Sequence, residues 1–336
     1  MSHNRADYAY IVGRLRALET RLPTANVLER MIEADTANAA FHVLNDLTFV
    51  SGSIGEHTVD EFQTVLTKAT EKMSRLLAKM SPDPNVLKFL WLKYDFHNLK
   101  VTLKARLVGH GYADVEHALV DLGCMRAEDW ERFVLEGKIP ALTKGMHGAM
   151  ADATKQYKKT HDPQIVDLIV DKHYIEEMLM MAECFQSPLT VGYLQRLIDL
   201  TNLKAFIRCK ELKKEDSYLE SVLLHGGRVP ASMMLESYSK GYDELKTLLE
   251  QKMHADELVF VLDEFLKEKT LLAAEKKISE LLQNYMDESK KMSFGPEPVF
   301  AFFWRFENHM QILRTILVGK RNRLTAEDIH KHVLTL

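Results

Sequence analysis

Fourteen histidines, three cysteines and 48 acidic side chains are the groups in this chain that could do chemistry. Imidazoles and carboxylates could hold a metal, a thiolate could attack a carbonyl, and a glycine-rich loop with a lysine could cradle phosphate. Each of these needs a spacing. There is no HExxH, and the nearest approach is the lone Glu327…His330 pair. A di-iron bundle needs two such pairs and two further glutamates on facing helices. His330 and His332 are two residues apart and do not share a helical face. The remaining histidines scatter, so solvated or structural roles are expected. Cys124, Cys184 and Cys209 are far apart, odd in number and in no CxxC pair, which reads as reduced, buried small side chains. Neither GxxxxGK[ST] nor GxGxxG occurs. The pairs Gly52/Gly55 and Gly145/Gly148 read as surface turns, and Glu176-Glu177 as a solvated face. No catalytic, cofactor-binding or metal-ligating residue is assigned.

Two asparagines stand out instead. Asn98 and Asn202 fall inside strongly helical patterns, where asparagine is mildly unfavourable. Each sits in a longer motif. Pro84…Phe89-Leu90…Asn98-Leu99-Lys100…Leu103 recurs 104 residues later as Pro188…Tyr193-Leu194…Asn202-Leu203-Lys204…Ile207. It recurs again as Pro298…Phe303-Trp304…Ile312-Leu313-Arg314…Leu317. A shorter frame follows each: Met125…Trp130, Val229…Met234 and Leu324…Ile329. Recurrence at two asparagine positions, with Ile312 at the third, favours a hydrogen bond that fixes helix packing over a ligand site. Leu99, Leu203 and Leu313 should face a core. The chain is therefore read as one unit over 1–336 with three helical repeats, their cores at about 84–130, 188–234 and 298–330.

The elements that must position these columns are helices. Apolar residues at spacings of three and four predict helices over 7–22, 25–49 and 59–80, with a loop at 51–57. Ser81-Pro82-Asp83-Pro84 stops one helix and opens the next, which runs to Gly109. Further helices are predicted at 112–121, 127–136, 140–159, 164–185, 188–213, 216–224, 231–253, 255–287, 298–318 and 326–334. No segment alternates with period two. Gly and Pro make up about 7% of the chain against a usual ~12%, too few for the tight turns of sandwiches, barrels or doubly wound sheets. The fold class expected is all-α.

Net charge is −4, so the strongly basic footprint of a nucleic-acid binder is missing. MSHNRADYAY carries no apolar signal core, and no run of 18 apolar residues exists to span a membrane. From Lys290 onward eight basic residues face four acidic ones. Within that stretch Arg305, Arg314, Lys320, Arg321 and Arg323 are candidate docking residues.

Tyr8-Ala9-Tyr10…Arg14-Leu15-Arg16-Ala17…Arg21-Leu22, KYDFHNLKVTLKARL (93–107), LIDLTNLKAFIRCK (197–210) and GPEPVFAFFWRFENHMQILRTILVGKRNRLTAEDI (295–329) together resemble the C subunit of V/A-type rotary ATPases, the family of the eukaryotic vacuolar ATPase d subunit. The likeness runs over nearly the whole chain. It implies an all-helical funnel of three similar lobes, and a non-catalytic part of the central rotor without cofactor or nucleotide of its own. It also implies partners, the D and F subunits of the shaft and the membrane ring of proteolipid subunits, and a place on the cytoplasmic face of the membrane. Torque would pass through such a piece between ATP chemistry and ion movement. Ile312 departs from the asparagine usual in the third copy, and Pro23 from an apolar residue. A helical-repeat adaptor outside any ATPase, and a metal- or histidine-dependent enzyme, are the competing readings from the residues alone.

Overall fold

The computed structural model describes residues 4–138, 142–251 and 253–333. Every regular element among them is helical. In chain order the helices are α1 (Ala9–Glu19), α2 (Ala25–Glu33), α3 (Ala37–Val43), α4 (Thr48–Ile54), α5 (Phe62–Met80), α6 (Pro84–Val108), α7 (Ala127–Glu136), α8 (Lys144–Thr160) and α9 (Gln164–Cys184). They continue as α10 (Pro188–Glu211), α11 (Asp216–Val222), α12 (Ala231–Tyr238), α13 (Tyr242–Gln251), α14 (Asp256–Glu268), α15 (Leu271–Asp287), α16 (Glu297–Arg321) and α17 (Ala326–His332). No helix among the described residues is long and apolar enough to cross a membrane.

The repeat helices start where their prolines put them. Pro84 and Pro188 are the first residues of α6 and α10, and Pro298 is the second of α16. Proline suits the first turn because its missing N–H has no partner there anyway. Asp83 Oδ1 accepts from the Asn85 N–H at 2.9 Å, and Ser187 Oγ accepts from the Thr190 N–H at 3.3 Å. In α16 the buried Glu297 takes the opening position and pairs with Arg5 at 2.9 Å.

Several expected helices are broken or shortened. Residues 25–49 form α2, α3, a 3-10 turn at Leu44–Asp46 and the start of α4. Ala34 is extended, and Thr36 caps α3 by accepting from the Ala39 N–H. The expected loop at 51–57 is helical through Ile54. Residues 112–121 make only two 3-10 turns, Tyr112–Asp114 and Glu116–Ala118. The 231–253 pattern divides at Gly241, whose φ of 103° only glycine adopts freely. The 255–287 pattern divides at Lys269, after which Thr270 caps α15. Residues 140, 141, 252 and 334, inside three expected helices, lie outside the described residues.

The chain divides into two compact units, residues 1–86 with 260–336, and residues 87–259. In the first, α16 packs against α1, α2, α3, α5, α15 and α17. Phe300, Phe302, Phe303, Phe306, Ile312 and Leu313 of α16 are all buried. A helix apolar on every side belongs inside a core, and each such side chain contributes about 1.5–3 kcal/mol by leaving water. In the second unit Leu92, Phe96, Leu99 and Leu103 of α6 pack with Trp130 and Phe133 of α7, Met146, Ala149 and Ala153 of α8, and Val166 and Val170 of α9. Gly145 and Gly148 are not turns but lie inside α8. A Cβ at Gly145 would stand 2.2 Å from Glu177 Oε2, and one at Gly148 2.9 Å from His173 Cε1. The missing side chains let α8 and α9 approach closely. Glu177, expected on a solvated face, is buried there and accepts from Thr143 Oγ1 at 2.6 Å.

Candidate functional site

The recurring asparagines act as backbone latches. Asn98 in α6 donates from Nδ2 to the Val120 carbonyl at 2.8 Å and accepts the Val120 N–H on Oδ1 at 2.9 Å. Asn202 in α10 does the same to Leu224, at 2.9 and 2.8 Å. One side-chain amide thus satisfies both polar groups of a loop residue, as an extended strand would. Both latches span 22 residues. The asparagines are each 1% exposed, so the bonds form away from competing water.

A second residue, which sequence reasoning missed, works one helical turn earlier. Asp95 accepts the Cys124 N–H at 2.9 Å and the Met125 N–H at 3.2 Å. Asp199 accepts the Val229 N–H at 3.0 Å and Arg228 Nε at 2.9 Å. Asp95 and Asp199 are 104 residues apart, as are Asn98 and Asn202. Spacing i, i+3 puts each Asp–Asn pair on one face of its helix. The loops come so close that a Cβ at Gly123 or Gly227 would lie 1.9 or 2.2 Å from the aspartate Oδ1. The signal is present as DFHN and DLTN, each followed by a glycine 28 residues after the aspartate. The latched loops lead directly into α7 and α12, so they set where those short helices begin.

Burial pushes the Asp95 and Asp199 carboxyls up, while the backbone N–H groups oppose it. Arg228 also opposes it at Asp199 and reaches Glu257 at 2.7 Å, which Arg196 holds at 3.0 Å. Burial lowers the Arg228 pKa, but the two carboxylates raise it more. The Val229 N–H, the Arg228 N–H and Arg228 Nε all converge on Asp199, and Glu257 shares the cation. Cys124 occupies the place of Arg228 in the first latch. Cys124 and Cys184 are exposed as residues, and only Cys209 is buried as expected. Burial of its sulfur, then the Asp95 charge, push the Cys124 thiol up to about 12. It is protonated at neutral pH and is a poor nucleophile.

The leucine column is sealed in all three copies: Leu99, Leu203 and Leu313 are each 0% exposed. Near the helix ends a cation meets a backbone carbonyl. Arg106 donates to Phe133 and Val134 at 3.1 Å, Lys210 to Tyr238, and Lys320 to Ala34 at 2.8 Å. These carbonyls close the C-terminal ends of α7, α12 and α2, where positive charge is favoured. In α16 the latch itself is missing. His309 and Ile312 stand at the aspartate and asparagine positions, and His309 Nδ1 bonds its own helix at the Arg305 carbonyl, 2.7 Å away. Here α17 rests on α16 through a small residue: a Cβ at Gly319 would be 2.8 Å from Ile329 Cγ1.

The five basic positions have different surroundings. Arg305 is buried, pairing with Glu19 at 2.8 Å and Asp287 at 2.9 Å, which makes it an internal cation. Half-buried Arg314 donates to Gln63 at 2.7 Å. Arg321 is exposed, 3.3 Å from Asp60 and over the Phe62 ring. Arg323, also exposed, has φ of 56° just past the end of α16. His330 pairs not with Glu327 but with Glu29 at 3.2 Å, and Glu33 lies 3.9 Å away. All three are exposed.

Comparison with known proteins bears on this arrangement over its whole length. The C subunit of the V-type sodium ATPase of Enterococcus hirae is 22% identical over 337 residues, covering 97% of this chain and 98% of that one. The C subunit of the A-type ATP synthase of Methanocaldococcus jannaschii is 23% identical over 355 residues, covering 98% and 87%. The C subunit of the V-type ATP synthase of Thermus thermophilus is 23% identical over 230 residues, covering 66% and 68%. The family model for the ATP synthase (C/AC39) subunit matches residues 11–332. With that match spanning both units and both latches, the chain belongs to the ATP synthase (C/AC39) subunit family.

Proposed function

We propose that this chain is a non-catalytic central-stalk component of a V/A-type rotary ATPase. In this reading it is a socket on the cytoplasmic face of the membrane. It receives the foot of a shaft built from the D and F subunits and rests on the proteolipid ring. Torque passes through it between ATP chemistry and ion movement. The observation that carries the reading is the family match over residues 11–332, with relatives named as the C subunits of V-type and A-type enzymes.

The physical character of the chain suits that role. A coupling piece must resist deformation, and close-packed helices do so without covalent staples. The latches add stiffness by tying each loop to a buried helix face. Three repeat units, centred on α6, α10 and α16, would supply three similar lobes around a socket for the shaft. Arg314, Lys320, Arg321 and Arg323 are the proposed docking cations, and Arg305 is left out because its charge is already neutralised inside the core.

The test is binding of the purified chain to a purified D–F shaft. A complex that weakens as salt rises is expected, because rim charges steer and orient docking. Replacing Arg321 and Arg323 with glutamate should weaken it further without lowering the melting temperature. Absence of any D–F complex at low salt would contradict the reading and favour an adaptor outside the ATPase. ATP turnover by the isolated chain that survives further purification would contradict the non-catalytic assignment.

A further inference from the structure

We infer that the first unit carries a docking groove for an acidic, amphipathic helix of a partner protein, lined by none of the basic C-terminal positions. The groove lies along α5. One part, about 750 Å³, is lined by Gly52, Ser53, Lys68, Lys72, Arg75 and Lys79 among others. A second part, about 150 Å³, is lined by Leu18, Leu22, Phe49, Ala69 and Met73. Lys72 and Leu76 border both parts, so the two adjoin along α5.

The charge pattern is directional. Lys68, Lys72, Arg75 and Lys79 follow one another at spacings of four, three and four, which is a single stripe on α5. All four are exposed. Two are engaged locally: Lys68 meets His57 Nε2 at 2.8 Å, and Arg75 meets Glu71 at 3.1 Å. Lys72 and Lys79 make no ion pair among the described residues. Arg21 adds a further cation beside the apolar part. Against these five stand Glu56 and Glu71, in a chain whose net charge is −4.

The shape selects the occupant. The stripe from Lys68 to Lys79 runs about 16 Å at 1.5 Å per residue, or about three helical turns. Half-buried Leu18, Phe49 and Leu76 offer an apolar floor beside it. A helix presenting leucines to that floor and carboxylates to the stripe would satisfy both. A single phosphate would reach only part of so long a stripe. A bilayer surface would meet the cationic rim and leave the recessed floor uncovered.

The test uses the full chain and a fluorescein-labelled 15-residue peptide. Its glutamates recur every three or four residues on one helical face, with leucines on the adjoining face. The control is a scrambled peptide of the same composition. The ordered peptide should bind at least about tenfold more tightly than the scrambled one. The Lys72→Glu/Lys79→Glu variant should weaken it by about tenfold or more, and Leu76→Ser should weaken it without altering its salt dependence. These substitutions are on exposed or half-exposed positions, and unchanged thermal melting would show that the fold is kept. Equal binding of ordered and scrambled peptides, or an affinity indifferent to the charge reversal, would overturn the proposal. So would charge-dependent binding to phosphatidylglycerol vesicles with no preference between the peptides, which would assign the stripe to a membrane surface.

Discussion

The Asp95–Asn98 latch and the Asp199–Asn202 latch make the same backbone bonds in different electrostatic settings. Both asparagines close on one loop residue with two bonds of 2.8–2.9 Å. Both aspartates collect backbone N–H groups at the start of the following helix. Only the second has a cation, because Arg228 stands where the first has Cys124. The bonds to the loop are thus the common element, and the ion network Arg196–Glu257–Arg228–Asp199 is an addition to one copy. A buried carboxylate needs donors, and the two latches show that backbone groups can supply them with or without a paired side chain.

The strongest way to break this comparison is to attack what both latches rest on. Leu99→Asp and Leu203→Asp should each cost more than about 4 kcal/mol, because each places an unpaired charge at a fully buried position. Chemical denaturation would measure it, and an unchanged midpoint at either site would separate the two copies. Next come the aspartates. Asp199→Ala should cost about 3–5 kcal/mol, since it leaves Arg228 partly unpaired as well as freeing the Val229 N–H. Asp95→Ala should cost less, about 2–3 kcal/mol, because no cation is stranded. Equal losses would mean that the ion network contributes nothing. Asn98→Ala and Asn202→Ala should cost about 2 kcal/mol each, since each leaves one loop N–H and one carbonyl without its partner, those of half-buried Val120 and buried Leu224.

The smallest expected effect, and the sharpest, is a difference of sign with pH. Asp95 is raised by burial, so its contribution to stability is greatest below its unfolded pKa and is lost as pH rises through its folded value. Burial also pushes Glu257 up, but Arg196 and Arg228 together hold it below the usual range. Its contribution is therefore present above its unfolded pKa and lost as pH falls through its lower folded value. On acidification from neutral pH, wild type should gain stability relative to Asp95→Asn and lose it relative to Glu257→Gln. Parallel trends would show that the two carboxylates share one environment.

Much of this architecture is legible in the residues. Proline and asparagine columns mark where α6 and α10 begin and which turn carries the latch, because helix geometry repeats those positions in register. Asp95 and Asp199 recur in the same register without announcing a role, since an aspartate on a helix ordinarily reads as solvated. The breaks at Ala34, Gly241 and Lys269 are hidden for another reason. Apolar periodicity continues across them, and only backbone dihedrals reveal that the chain turns. Residues 112–121 read as a helix, yet the backbone groups of Val120 among them are taken by Asn98, a contact 22 residues away that no local pattern contains. The basic C-terminal stretch is visible as composition. That Arg305 lies inside while Arg321 and Arg323 lie outside is decided by Glu19 and Asp287, distant in sequence from one or the other. The cationic stripe on α5 is legible at spacings of three and four, but the floor beside Leu76 is completed by Leu18 of α1 and Phe49 of α4.

The proposed function has this chain couple a rotating shaft to ion movement and take no part in ATP chemistry. Ion uptake and ATP hydrolysis should be measured together in vesicles carrying the assembled ATPase, with this protein present, omitted and added back. Omission should leave hydrolysis running while ion uptake stops, and adding the chain back should restore uptake. Ion uptake that persists at full rate without it would contradict the claim.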